Sequence, residues 1–568
     1  MRFRVLAGAV LIVASGPLAA SSGAGNAPTG CDGRRAVVHH VGGATDTPQA
    51  LLACSTSTGY AIAESHLNVA PDGEVIVTPA VIPSGLLGTG EVPVDGGTAQ
   101  SNASPAALAV SRDQGAHWSL VKPSGTTWNP TDHGDYVDPV TGRLFFEDYG
   151  PIPTYPAFGP DQEGPAHLNV SADGGKTWAH SVVRDVQLPE NPQFTAGPPV
   201  AGGERPVGYS RVTYFCANNS IGFTSPAIAQ RNCYRSLDGG GTFTPRSVIL
   251  RSSAPVHPEC GQGENLSAED GHYPQAAPDG SLYLMISCGD LTVLAKSTDE
   301  ALTFPVLRRG EGLRTVPLPP AQMPDFNTSA LQVLSNGTLV VTSLEAGRLK
   351  VRVSADQGLR WSAPVDVTAP GLASAATWAV SARGTSLGLA YLGSRHGDPA
   401  FYGYVALLRD PGTLAQGRGV TVQSGLVKKT PLLFGSNALG PAVLGAGTIG
   451  GPLGIHLPFP PPFTDQVFGN DFIGSAVGPD GTPWGSFTQD CGPSPEAPGC
   501  TANGGQTRGL VGRLVATPAT SAATAPVRAT PRRPARGVLA ATGGLPVAAA
   551  GLVLLLAGVA AGRRRATR

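Results

Sequence analysis

An eight-residue pattern recurs five times along this chain at nearly constant spacing. It reads Ser111-Arg-Asp-Gln-Gly-Ala-His-Trp118, Ser171-Ala-Asp-Gly-Gly-Lys-Thr-Trp178, Ser236-Leu-Asp-Gly-Gly-Gly-Thr-Phe243, Ser297-Thr-Asp-Glu-Ala-Leu-Thr-Phe304 and Ser354-Ala-Asp-Gln-Gly-Leu-Arg-Trp361. Successive Ser residues are 60, 65, 61 and 57 positions apart, and only the fourth copy replaces the Gly, with Ala301. A period of this size marks a repeat architecture, one supersecondary unit per period. Each copy reads as a turn that holds itself together. Asp113, Asp173, Asp238, Asp299 and Asp356 accept hydrogen bonds from N–H groups of their own turns. The Gly takes the φ > 0 position, and the closing aromatic packs between neighbouring strands.

A second signal precedes the first within each period. Turns flanked by strand-like residues recur at Pro71-Asp-Gly73, Thr141-Gly-Arg143, Pro278-Asp-Gly280, Ser335-Asn-Gly337 and Pro479-Asp-Gly481, with weaker copies over 207–216 and 378–391. Such turns between apolar alternations predict hairpins. Counting hairpins gives seven units and counting the longer pattern gives five, so the chain has six or seven units, with seven favoured. The 76 Gly and 53 Pro against 14% charged residues agree with an all-β body of short strands and tight turns. The last unit ends in Gly509-Leu-Val-Gly-Arg-Leu-Val515, expected as an outer or closing strand that removes an exposed sheet edge. Residues 411–468, rich in Gly and Pro, are expected to form a surface insertion in the sixth unit.

The eight Cys fall as couples near in sequence: Cys31 with Cys54, Cys216 with Cys233, Cys260 with Cys288, and Cys491 with Cys500. Disulfides within single units are predicted, and none of the spacings suits a zinc site. The net charge of -1 leaves no basic footprint for nucleic acid. Residues 1–27 carry Arg2 and Arg4, a short apolar run and small-residue sites, the layout of a secretory signal. Near the other end, residues 516–538 read as a Pro, Ala and Thr rich linker. Residues 539–568 hold Leu539-Ala-Ala-Thr-Gly543, the apolar run Leu545 to Ala561, expected as a membrane helix, and Arg563 to Arg565.

The repeated turns resemble the Asp boxes, or BNR repeats, of the sialidase superfamily, which implies a β-propeller over 28–515. The order of linker, LAATG, apolar span and basic tail is similar to the LAxTG sorting signal of actinobacteria. That resemblance implies an exported protein held at the cell wall or cell surface. Sortase would cut between Thr542 and Gly543 and join Thr542 to peptidoglycan, with the C-terminal helix in the membrane beforehand. A plain membrane anchor is the alternative.

In a propeller, polar residues just before each innermost strand gather around the axis, where ligands bind. Here they include His66, Asp132, His133, Asp135, Tyr136, Glu264, Glu269, Asp270, His272, Tyr273, Asp325, Asn327 and Asp471. Asp132, Asp135, Tyr136, Glu269, Asp270 and Tyr273 are the catalytic candidates. His66, His133, His272, Asp325 and Asp471 are candidates for ligand binding, through sugar hydroxyls or Ca²⁺. Each also has a plain reading, since Asp and Gly before a strand are turn formers. No resident cofactor or metal is called for, although Ca²⁺ binding stays open.

Resemblance to sialidases implies three Arg on a sugar carboxylate, an Asp acid–base and a Tyr nucleophile activated by a Glu. The family's F/Y-R-I-P segment is absent. Gly203-Glu-Arg-Pro206 is the nearest fragment, and Arg205, Arg211, Arg383 and Arg395 are the carboxylate-binding candidates. A sialidase-like glycoside hydrolase is the leading expectation. A non-catalytic propeller that binds an extracellular glycan or surface protein is the alternative.

Overall fold

The computed structural model describes residues 29–59, 63–80, 91–94, 97–100, 108–121, 123, 134–149, 165–187, 189–219, 230–251, 273–288, 291–310, 312–317, 330–398, 400–433, 473–490 and 507–517. Seven antiparallel sheets form a seven-bladed propeller. The innermost strands are Ala63–Val69, Asp135–Val137, Pro189–Gly197, Gln275–Ala276, Leu331–Val333, Leu372–Arg383 and Gly474–Val477. Each meets the next in this order, and the seventh returns to the first. The seven hairpin turns foreseen in the sequence join first to second strands, one per blade.

Blades are covered on both faces by their neighbours, so their middle strands read as continuous apolar runs rather than alternations. Val340 and Val341, consecutive in Leu339–Glu345, are both fully buried. Phe401–Arg409 is buried along its length except at Arg409. The apolar core is accordingly divided into layers between blades. Phe145 and Val170 of the second blade pack on Phe194 and Phe215 of the third, and Val351 and Val353 of the fifth pack with Leu387 and Leu389 of the sixth.

The five repeated turns each join a third strand to the fourth segment of its blade and share one hydrogen-bond pattern. The Ser hydroxyl donates to the Asp at 2.8–2.9 Å in all five copies. The N–H at the Gly place donates back to the Ser, at 2.7 Å from Gly115 and 3.0 Å from Ala301. The N–H two residues further on reaches the Asp, at 2.9 Å from Thr177 and Thr242. Such bonds each contribute about 0.5–1.5 kcal/mol.

The strands between which the closing aromatic packs belong to neighbouring blades. It inserts between blades: Trp118 joins the layer between the seventh and first, Trp178 that between the first and second, and Trp361 that between the fourth and fifth. The turn backbone is also held by an Arg from the preceding blade. Arg112 donates to the Gly174 carbonyl at 3.1 Å, Arg143 to Gly239 at 2.7 Å, Arg246 to Asp299 at 2.8 Å, and Arg314 to Gln357 at 2.9 Å. Arg513 of the last blade donates to the Gln114 side chain at 2.9 Å, which extends the latch across the ring closure. The planar guanidinium suits this task better than an ammonium because several donors are held in one rigid fork.

Ring closure differs from the expectation. The N-terminal segment supplies three outer strands to two blades: Val37–Val41 pairs with Val420–Leu426 of the sixth, while Leu51–Ser57 and Cys31–Arg35 extend the seventh. Thr507–Ala516 therefore lies inside the seventh sheet rather than at its edge. The stretch expected from Pro411 as an insertion opens with structure belonging to the sixth blade, a 3₁₀ turn over Pro411–Gln416 and the strand Val420–Leu426. Residues 434–468 of that stretch lie outside the described residues.

Cys31 is disulfide-bonded to Cys54 and Cys216 to Cys233, and both bonds join directly opposed strand positions. Cys288 is also disulfide-bonded. Cys260, Cys491 and Cys500 lie outside the described residues, as do 1–28, the linker from 518 onward, Thr542, Gly543 and the apolar C-terminal run. Among the described residues no helix is long and apolar enough to cross a membrane. The disulfides fit a chain that matures in an oxidising compartment.

Candidate functional site

Where the innermost strands approach the axis they enclose a cavity of about 140 Å³. His66 and Asn68 come from the first blade, Asp135 and Tyr136 from the second, Gln193 and Phe194 from the third. The fifth, sixth and seventh blades complete the wall with Gln332, Ala379 and Ser475. Alternation along Ala63–Val69 turns Leu67 into a blade layer, and the polar neighbours His66 and Asn68 are both at the cavity wall.

Asp135 is the buried charge-bearing group of this wall, its side chain shielded from solvent. Asn68 ties it to the first blade: the Asn68 amide donates to Asp135 Oδ2 at 3.0 Å, and its carbonyl oxygen accepts from the Val137 N–H at 3.2 Å. His66 Nδ1 stands 3.5 Å from Asp135 Oδ1. That oxygen has no hydrogen-bond partner among the described residues, and neither does the buried Gln193 Oε1. Burial pushes the Asp135 carboxyl above the usual carboxylate range, and the charge of His66 and the Asn68 hydrogen bond offset only part of this.

Tyr136 lines the same cavity, but burial, with the Asp138 carboxylate nearby, pushes its phenol upward. A nucleophilic Tyr needs the opposite. Tyr273 is buried beneath the Arg231 guanidinium, 4.7 Å from its ring centre, and is not part of the cavity wall.

The four Arg candidates do not converge. Arg211 is held by Asp138 at 3.2 Å and by the Ala196 carbonyl at 2.5 Å. Arg383 donates to the carbonyls of Val69 and Pro139, both at 3.0 Å, and of Val477 at 3.4 Å. These oxygens lie where the first, second and seventh innermost strands end, so Arg383 bridges three other blades. Arg395 lies over the Tyr402 ring at 4.2 Å. Arg205 is exposed on the connection between Gly197 and Val212. No Arg or Lys lines the cavity among the described residues.

Asp132, His133, Glu264, Glu269, Asp270, His272, Asp325, Asn327 and Asp471 lie outside the described residues. Among the described residues, no three His, Cys, Asp or Glu side chains are grouped to hold a metal ion. Sequence reasoning missed Asn68 and Gln193, although a polar residue on an innermost strand is a usable signal. It also missed Asp138, which accepts from the Tyr209 hydroxyl, from Thr141 at 2.7 Å and from the Val140 N–H at 3.1 Å, and thereby fixes Arg211.

No family model and no curated protein matches this chain. Among solved structures, it is similar to a Hadza microbial sialidase at 14% identity, over 66% of this chain and 68% of that chain, with a TM-score of 0.35. It is also similar to Penicillium chrysogenum alpha-L-arabinanase complexed with arabinobiose at 14% identity, over 66% and 97% of the two chains, with a TM-score of 0.34. YCF48 bound to D1 peptide is similar at 10% identity, over 67% and 96%, with a TM-score of 0.31. The chain itself is a seven-bladed propeller whose axial cavity brings Asp135, His66 and Gln193 to one wall.

Proposed function

We propose that this chain is an exported, surface-held propeller that engages an extracellular glycan at the axial cavity. The observation that carries this reading is the buried Asp135 carboxyl, whose Oδ1 has no hydrogen-bond partner among the described residues, on a wall shared with His66 and Gln193. One carboxyl group, Asp135, with the amides Asn68, Gln193 and Gln332 on the same wall, suits sugar hydroxyls. The test is binding of the full chain, in detergent, to a glycan array. Saturable binding that falls in His66→Ala and Asp135→Ala supports the reading; binding indifferent to both substitutions overturns it.

Glycoside hydrolysis is the second reading, favoured by one observation. A carboxyl pushed upward by burial is suited to donate a proton to a leaving group. The two-carboxylate mechanism needs a partner, and Asp132, Glu269 and Asp270 are the other acidic residues among the catalytic candidates. A panel of fluorogenic glycosides, sialosides included, tests this, with turnover abolished in Asp135→Asn. No turnover across the panel leaves binding alone. The scatter of Arg205, Arg211, Arg383 and Arg395 weighs against a three-Arg sialoside clamp.

Attachment through Thr542 to peptidoglycan by a sortase is supported by the order of the C-terminal segments. Mass spectrometry of wall digests tests it: a chain ending at Arg568 would show a membrane anchor instead.

A further inference from the structure

We infer that the axial cavity selects a sugar unit by its hydrogen-bond donors, as a neutral hydroxylated ring or an amino sugar, and rejects sugars that present a carboxylate. This deepens the reading of the cavity as a glycan site and rests on it.

The first argument is the character of the free atoms. Asp135 Oδ1 and Gln193 Oε1 are both oxygens, both buried and both without a hydrogen-bond partner among the described residues. An acceptor left bare in a buried wall is costly until a donor reaches it. Sugar hydroxyls and ammonium groups provide such donors, whereas a carboxylate brings only acceptors.

Charge gives the second argument. Among the described residues the cavity wall contains no Arg or Lys, and His66 faces Asp135. His66 is the one basic side chain of that wall among the described residues, and its Nδ1 stands 3.5 Å from Asp135 Oδ1, so the wall offers no cation without an acidic neighbour. A ligand carboxylate would meet that acidic neighbour at close range. Two of the Arg candidates are engaged elsewhere: Arg211 by Asp138, and Arg383 by three carbonyls.

Size agrees. About 140 Å³ is close to a space known to take one benzene-sized guest, so the cavity admits at most one sugar ring.

The experiment titrates the full chain, in detergent, with oligosaccharides ending in galactose, N-acetylglucosamine, glucosamine, N-acetylneuraminic acid or glucuronic acid. Neutral or amino termini should bind, and acidic termini should be weaker by about tenfold or more. Asp135→Ala should lose roughly 10- to 100-fold. Asp135→Asn keeps an acceptor but removes the charge, so it should spare neutral termini and weaken glucosamine, which separates the two donor types. Gln193→Ala gives an independent arm if Asp135→Ala does not fold. Acidic termini bound as tightly as neutral ones would overturn the selectivity and leave the glycan site standing. Neutral binding unchanged in folded Asp135→Ala and Gln193→Ala also overturns it, and binding to none of the five overturns both readings.

Discussion

Gly240 approaches Val170 of the preceding blade so closely that a Cβ added to it would lie 2.5 Å from Val170 Cγ2 and 2.9 Å from the Phe145 ring. The Gly place of the repeated turn is therefore set twice. Gly240 has φ of +101°, a conformation costly for other residues, and its missing side chain is what lets blades close up. Gly240→Ala is expected to destabilise by about 2–4 kcal/mol, combining left-handed strain with overpacking. Urea unfolding measures this, and a loss below about 0.5 kcal/mol would show that the layer yields easily.

Arg383 makes a second long-range tie, to a Val69 carbonyl that lies 314 positions away in sequence. Arg383→Ala leaves the Val69, Pro139 and Val477 carbonyls without that donor, and a loss of about 1.5–3 kcal/mol is expected. Arg383→Lys should recover only part, because one ammonium does not span three oxygens as the fork does. Equal stability of Ala and Lys variants in urea would contradict the bridging role.

The repeated turns should make the propeller sensitive to acid. Hydrogen bonds from His117 hold Asp113, and hydrogen bonds from Thr177 hold Asp173, at about 2 rather than the usual 3.8. At Asp238, Asp299 and Asp356 burial raises the carboxyl, but hydrogen bonds within the turn together outweigh it and the net shift is downward. A depressed carboxyl stabilises the fold above its unfolded value. That contribution is lost as pH falls from 3.8 towards about 2. Thermal midpoints should drop through this window, and the drop should be shallower in an Asp113→Asn, Asp173→Asn double variant.

Asp135 should behave in the opposite sense. Its carboxyl is raised by burial, so its favourable state is the protonated one, present below the ordinary carboxylate value and lost as pH rises through its folded value. Asp135→Asn should match the natural chain in acid and melt progressively higher than it as pH rises. Melting curves taken across that range decide this; a gap that narrows with rising pH would mean that His66 compensates the charge in full.

How much was legible follows from the range of the interactions. The five turns could be read because each closes within its own residues: Ser236 with Asp238 and Gly240, and Asp238 with Thr242. Their period and the hairpin turns were enough for a repeat with seven units favoured, and the resemblance to Asp boxes implied the propeller. The candidate site was legible only in part. Asp135, Tyr136 and His66 belong to the cavity wall, yet Asn68, 67 positions before Asp135, and Gln193 carry no local motif. Arg211 and Arg383 read as free cations until Asp138 and three distant carbonyls are seen to hold them.

The amino-acid order alone thus determined the repeat, the all-β class and the couples Cys31–Cys54 and Cys216–Cys233, because these depend on contacts within or close to one unit. Tertiary structure decided which strands close the ring, which guanidinium groups latch one blade to the next, and which buried oxygens of the cavity-lining residues have no partner among the described residues. Those outcomes depend on side chains from different blades meeting in buried space, where an unmet polar group or an extra methyl group is costly enough to select one arrangement.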